Sequence, residues 1–292
     1  MIKKGVYAAS LSVLKDDSSL DVESTIFHAE TIISKGLHGV FFFGSTGQSQ
    51  LISISEKKDL ISKTATSKFK NQFYLGTGVN SLKDNLELIR YAMEFGFQTF
   101  LIMPPAYYKG NSNEGVYNFY AKIISQVPKI KIILYNFEKL SGFVFSAEFI
   151  KKLTSNFPKQ IVGCKDSSYN LFEKLKIPNF HIFPGSEAKL LKGLELGCSG
   201  CISAVTNVTH TLARKVYDDY ENKISQTVNK KLISVRETFD KYNLISGLHV
   251  CMAVQDKKYN NLLPPLVLLS EENKKNLILE LKDLHFTLKN DI

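Results

Sequence analysis

Arginine is scarce in this chain: Arg90, Arg214 and Arg236 are the only three, and every other basic residue is lysine. The formal net charge of +9 invites an anionic partner. Readers of nucleic acid, however, favour the bidentate arginine fork, and the lysines here are spread along helical stretches. Solvated helix faces account for them, and no nucleic-acid partner is expected. Long apolar runs are missing as well, so no membrane span is expected. The amino-terminal MIKKGVYAASLSVLKDD imitates a secretory leader, with two lysines before an apolar run. That run is short, ends in charge and has no clear cleavage site, which favours a first β-strand and a cytoplasmic protein. Cysteine is limited to Cys164, Cys198, Cys201 and Cys251. Cys198 and Cys201 form a lone C-x-x-C, with neither a second pair nor a nearby histidine, weak as a zinc half-site and out of context as a redox motif. Two small residues at a tight helix-to-strand crossing are the simpler explanation. The six histidines show no H-E-x-x-H and no ligand spacing, so no metal is expected.

What the chain does have is apolar material in a regular rhythm. Its 292 residues are 44% hydrophobic, with 20 Phe and 13 Tyr, enough for a sizeable core. Eight strand candidates follow one another: GVYAASLSV from Gly5, GVFFFG from Gly39, FYLGTGV from Phe73, TFLIMPP from Thr99, IKIILYNF, IVGCKDS, HIFPGS and GCISAV. Helical patterns separate them: Asp21 to Lys35, SISEKKDLISKTA, SLKDNLELIRYAMEFG, NEGVYNFYAKIISQV, SAEFIKKLTSNF, and the short NLFEKLK and EAKLLKGLELG. Ser53 with Glu56 three residues on has the pattern of a capping box. The strands are continuously apolar rather than alternating, as in a parallel sheet covered by helices. Eight β–α units point to a TIM barrel or a large doubly wound sheet. Beyond Asn207 the chain reads as helices: VTHTLARKVYDDY, ISQTVNKKLISVRETFDKY and a last one after Ser270. One structural unit is expected, with a (β/α)8 barrel over 1–220 and a C-terminal helical segment packed on it over 221–292.

In a barrel the chemistry sits at the C-terminal ends of the strands. The second strand ends in Gly44-Ser45-Thr46-Gly47, whose hydroxyls and N–H groups make either a small anion cradle or a capped turn. No G-K-[ST] follows, so it is not a nucleotide-binding P-loop. Tyr107 and Tyr108 follow the fourth strand, and Tyr135-Asn136 with Leu140-Ser141-Gly142 the fifth. Gly185-Ser186-Glu187 follows the seventh, and the eighth carries Ser203. The sixth, IVGCKDSSYN, ends an apolar run in Lys165. A lysine there either reaches solvent or works as a neutral, nucleophilic amine. Each of these residues has an ordinary structural explanation. Together, one lysine, one or more tyrosines and a hydroxyl-lined cradle on one rim suit imine chemistry on a 2-keto acid. The cradle would hold the carboxylate, the lysine attack the ketone, and a tyrosine move protons.

The stretches GSTGQS, GTGVNS, PPAYY, YNFEKLSG, GCKDSS, PGSEAKLLKGLELGCSGCISAVTNV and LPPLVLLSEE carry a specific likeness over nearly the whole chain. It resembles the dihydrodipicolinate synthase / N-acetylneuraminate lyase family of pyruvate-dependent class I aldolases. The resemblance implies a (β/α)8 barrel with a C-terminal helical segment, assembled as a homotetramer, a dimer of dimers. It implies that Lys165 forms the Schiff base with pyruvate, with no cofactor and no metal, and that Tyr135 shuttles protons. Ser45 and Thr46 would bind the carboxylate, Thr46 also serving the proton relay, and Tyr108 would complete that relay from a neighbouring subunit. Gly47, Ser167, Gly185, Glu187 and Ser203 would join Ser45 as the substrate-binding set.

Departures from the family pattern bear on the substrate. Synthases carry an arginine for the carboxylate of aspartate semialdehyde where this chain has Leu140. Leu140-Ser141-Gly142 and Ser45 look like the sialic acid lyases, while Lys165-Asp166-Ser167 and Gly185-Ser186-Glu187 look like archaeal 2-keto-3-deoxygluconate aldolases. Gln48 replaces the usual glutamate, and Ala188 lacks the carboxylate of a true sialic acid lyase. Reversible aldol cleavage of a 2-keto-3-deoxy sugar acid to pyruvate and an aldehyde is therefore the expectation, the partners being a small keto acid and an aldehyde. Dihydrodipicolinate synthase is the rival within the class. A catalytically silent regulatory or binding member is the rival outside it.

Overall fold

Each of the eight apolar runs forms a strand, bounded by the polar and glycine-rich segments that frame it. In the computed structural model, which describes residues 2–288, these are β1 (Gly5–Ala9), β2 (Gly39–Phe42), β3 (Phe73–Gly76), β4 (Thr99–Ile102), β5 (Lys131–Asn136), β6 (Ile161–Asp166), β7 (His181–Pro184) and β8 (Gly200–Ser203). All ladders are parallel, in the order β7-β6-β5-β4-β3-β2-β1-β8. The ends of that sheet meet where the Ser199 N–H, just before β8, donates to Ile182 O at 2.8 Å. The result is a nearly closed (β/α)8 barrel.

The helices are α1 (Val22–Ser34), α2 (Ile54–Thr64), α3 (Leu82–Glu94), α4 (Asn113–Gln126), the single turn α5 (Glu138–Ser141), α6 (Ala147–Asn156), α7 (Leu190–Glu195), α8 (Thr206–Glu221), α9 (Asn229–Asp240), α10 (Leu244–Ala253) and α11 (Glu271–Asp283). Their starts are chemically set. Asp21, Ser53, Ser81, Ser112 and Ser146 each accept an N–H of the first turn, relieving donors that have no partner within the helix. Ser53 and Glu56 close the expected capping box, with the Glu56 carboxylate 3.0 Å from the Ser53 N–H.

Alternation along the strands sorts the core into two layers. Tyr7, Phe41, Leu101, Ile133, Phe183 and Ile202 fill the barrel's interior, with Ile2 beside them. Their strand neighbours, such as Val6, Val40, Phe100 and Leu134, pack outward against the helices.

Three expectations differ from what forms. NLFEKLK makes turns and no helix. The N–H groups of Leu171 and Phe172 are taken by the Asp166 carboxylate at 2.9 Å, and Pro178 disfavours helical backbone at Ile177. The ISQTVNKKL pattern becomes helical only at Asn229. The third difference is α10, whose residues Ser246 to Met252 are all buried, so it has no polar stripe to betray a helical period. The expected C-terminal segment is described as far as residue 288; residue 1 and residues 289–292 lie outside the described residues. Among the described residues no helix is long and apolar enough to cross a membrane.

Candidate active site

Register places the two principal side chains together. In the β5–β6 ladder Tyr135 is opposite Lys165, and Asn136 is opposite Asp166. Tyr135 packs with the barrel-interior residues, and the Lys165 Nζ lies 4.4 Å from its ring centroid. Lys165 is only 3% exposed. Among the described residues no ion pair forms at its amine. The adjacent Asp166 has its carboxylate elsewhere, accepting from Asn136 Nδ2 at 2.8 Å and from the Leu171 and Phe172 N–H groups. Asn136 in turn accepts the Phe145 N–H at 3.1 Å. The polar residue after each key side chain thus anchors the following loop, and the Asp166 carboxylate is spent on that anchoring.

The cradle follows β2. Ser45–Gly47 is a 3-10 turn in which the Gly47 and Gln48 N–H groups donate to Gly44 O and Ser45 O. Ser45 and Thr46 lead that turn and line one cavity with Tyr135 and Lys165. Ser45 Oγ and Tyr135 OH share a hydrogen bond of 3.0 Å, a direct path for a proton. Gly47 is tucked behind them, its carbonyl accepting from Ser12 Oγ at 2.7 Å. Gln48 stands in the left-handed region at φ 55°. Its Oε1 accepts the Leu263 N–H at 2.8 Å, fastening the cradle to the C-terminal region.

The cavity encloses about 490 Å³, within the usual range of small-molecule sites. Ser167, Ser168, Tyr169 and Gly185 form its far wall. Gly185 is required there: a Cβ would stand 2.9 Å from Ser167 Cα. Glu187 and Ser203 are fully buried and are not among the lining residues. Ser203 Oγ donates to Glu187, and Arg236 Nη1 reaches the same carboxylate at 3.4 Å. Sequence reasoning assigned no site role to Arg236. It comes from α9, lines the cavity, and is also bound by Asp240 at 2.9 Å. Burial works against its charge, and Glu187 and Asp240 more than offset that. Glu138 and Lys139 complete the polar rim. Tyr108 is 74% exposed, edge-on to Tyr107 with centroids 5.3 Å apart, and does not line the cavity of its own chain. Leu140 turns to a neighbouring apolar cavity of about 340 Å³ that shares Ser45 and Tyr135.

Other nucleophiles are withdrawn. All four cysteines are buried, and burial pushes the Cys198 thiol up to about 11 and the Cys201 thiol well above its usual range. Among the described residues no group of three or more His, Cys, Asp or Glu is placed to hold a metal ion.

Known proteins resemble this chain over most of its length. The family model described as the dihydrodipicolinate synthetase family matches residues 3–284. A 2-dehydro-3-deoxy-D-gluconate/2-dehydro-3-deoxy-phosphogluconate aldolase of Picrophilus torridus is 31% identical over 214 residues, 70% of this chain and 78% of its own. A 4-hydroxy-tetrahydrodipicolinate synthase of Bartonella bacilliformis is 28% identical over 283 residues, 93% of this chain and 94% of its own. The crystal structure of dihydrodipicolinate synthase from Agrobacterium tumefaciens has the same fold, with a TM-score of 0.88 at 24% identity over 97% of this chain and 99% of that one. The chain belongs to the dihydrodipicolinate synthetase family and is a class I aldolase/lyase.

Proposed function

We propose that this enzyme is a pyruvate-dependent Schiff-base lyase that cleaves a 2-keto-3-deoxy sugar acid to pyruvate and an aldehyde. The observation that carries the proposal is the Lys165 amine 4.4 Å over the Tyr135 ring, with Tyr135 bonded to Ser45 on the wall of the same cavity. Ser45 and Thr46 receive the substrate carboxylate. The Lys165 nitrogen adds to the C2 carbonyl, whose oxygen takes one proton from that nitrogen and a second from Tyr135 and leaves as water, giving a protonated imine. A base removes the C4 hydroxyl proton, the C3–C4 bond breaks, and its electron pair passes into the imine to give an enamine while the aldehyde departs. Protonation at C3 and hydrolysis release pyruvate and restore the amine. Tyr135 and the hydroxyls bonded to it serve these proton transfers.

The lean towards a polyol rests on the far wall. Ser167, Ser168 and Tyr169 offer hydroxyls, and Asp240 an acceptor, around an Arg236 already engaged by two carboxylates. A synthase needs a cation for the second carboxylate of aspartate semialdehyde, best supplied by an arginine fork, and Leu140 supplies none. Lys139 on the cavity wall favours the synthase as the second reading. The homotetramer and the cytoplasmic location belong to the same proposal. The exposed Tyr107–Tyr108 pair suits insertion into a second copy, where Tyr108 would extend the relay. Cleavage of 2-keto-3-deoxygluconate and condensation of pyruvate with aspartate semialdehyde, assayed on one preparation, test the choice. The higher kcat/KM is expected for cleavage, and a clearly faster condensation refutes it.

A further inference from the structure

Lys57 breaks two rules at once. It lies in the first turn of α2, where the helix dipole disfavours a cation, and it is fully buried, where a charge needs compensation. Among the described residues it forms no ion pair. Its ammonium donates to two backbone carbonyls, Thr77 O and Gly78 O, each at 3.1 Å. A methionine of similar size would fill this space without the charge, so the ammonium has a task that packing does not explain.

The two carbonyls belong to the turn that leaves β3, and that turn is pressed onto the cradle. Gly78 is left-handed at φ 58°, and a Cβ on it would stand 2.6 Å from Ser49 Oγ and 2.9 Å from Phe43 O. Phe43 itself is at φ 58°, a costly backbone state for an aromatic residue, and it immediately precedes Gly44 and Ser45. Its ring centroid lies 5.8 Å from the Lys57 Nζ. Phe43, Thr77 and Gly78 then share a cavity wall with Ser45 and Tyr135. We propose that Lys57 is a positioning residue: its ammonium draws the Thr77–Gly78 turn onto the β2 cradle and so holds Ser45 against Tyr135. This rests on the role of Tyr135 and Ser45 in the Schiff-base chemistry proposed above.

The charged group that bears on Lys57 is Asp84 of α3, which favours its protonated form; burial outweighs it and brings the ammonium down to about 8. Of its helix neighbours, Glu56 is turned onto Ser53 and the Leu20 N–H, and Lys58 onto Glu87. The β2 and β3 segments it touches, Phe43 and Thr77–Gly78, carry no titratable side chain. Below about pH 8 the charge-assisted bonds are intact, and above it they weaken, so proton transfer at the site falls as pH rises through that value.

The test uses pyruvate alone. Exchange of its methyl protons for deuterium, followed by NMR, requires the enamine and hence the relay, whereas borohydride trapping reports imine formation at Lys165. For Lys57→Met at neutral pH we expect exchange to fall about tenfold or more, the scale of a sub-ångström misplacement. Trapping carried to its end point should stay within about twofold, because a slowed imine step still reaches completion, and the alkaline fall near pH 8 should disappear. Lys57→Arg, charged throughout, should move that fall to higher pH. A folded Lys57→Met with wild-type exchange, or with the fall near pH 8 unchanged, overturns the proposal. If the methionine variant does not fold, a wild-type profile without the fall, or one that arginine leaves in place, overturns it equally. A wild-type enzyme that traps no pyruvate removes the Schiff-base reading itself, and the positioning role with it.

Discussion

Two buried histidines give the fold an acid limb that can be sized. His28 on α1 and His249 on α10 are joined through Tyr259. Tyr259 OH bonds His28 Nδ1 at 2.9 Å, and its carbonyl bonds His249 Nδ1 at 2.9 Å. Asn207 fixes the tautomer of His28. Its Nδ2 donates to Ala9 O and Ala204 O and its Oδ1 accepts the Leu11 N–H, so that oxygen also accepts from His28 Nε2 at 2.8 Å. Nδ1 of His28 must then be the acceptor from Tyr259, and protonating it reverses that bond and buries a charge. Burial lowers both imidazoles from 6.5 to about 4. Between those values the unfolded chain binds more protons than the folded one, so stability is complete above pH 6.5 and falls as pH drops towards 4. Each ring contributes about 3 kcal/mol over the whole window, and about 2 kcal/mol of loss between pH 7 and pH 5. His28→Gln keeps an amide donor and acceptor but cannot titrate. Urea unfolding at fixed protein concentration, at pH 7 and pH 5, should show the variant losing about 2 kcal/mol less than wild type across that interval. Equal losses in the two proteins would refute the assignment of the limb to His28.

Tyr135→Phe removes one hydroxyl and the bond to Ser45; turnover should fall about a hundredfold while pyruvate binding survives better, and near-normal turnover would reduce Tyr135 to core packing. Arg236→Met leaves the fully buried Glu187 without its cation and should cost about 3 kcal/mol or more in urea unfolding. Adding Glu187→Gln should recover part of that loss, and a single variant as stable as wild type would contradict the pairing.

How far the sequence could be read depended on whether the signal was local. The eight strands are legible because each must be apolar on both faces, towards the barrel interior and towards the helices, so GVFF and FYLG stand out unaided. Lys165 and Tyr135 are legible because each ends such a run, and a parallel sheet sends all its strand ends to one rim. Serine and aspartate caps mark most helix starts in the same way. What stayed hidden is tertiary. Arg236 sits on a helix whose solvent face looks ordinary, and it enters the site only because α9 packs against the Glu187–Lys189 turn that follows β7. Lys57 reads as one more helix lysine, and nothing near it in sequence reveals the two carbonyls it binds. The α10 stretch lacks a period because the molecule buries it on every side. Glu187 looks like a free acceptor at a strand end until Ser203 and Arg236 are seen to occupy it.

The central claim is that Lys165 is the nucleophile, and one experiment addresses it directly. The enzyme is incubated with pyruvate and reduced with borohydride, then analysed by intact mass and peptide mapping. A reduced imine adds the mass of pyruvic acid less one oxygen, and the adduct should map to the peptide carrying Lys165 and be absent from a folded Lys165→Ala. Protein that gains no such mass, or gains it on another lysine, contradicts the mechanism.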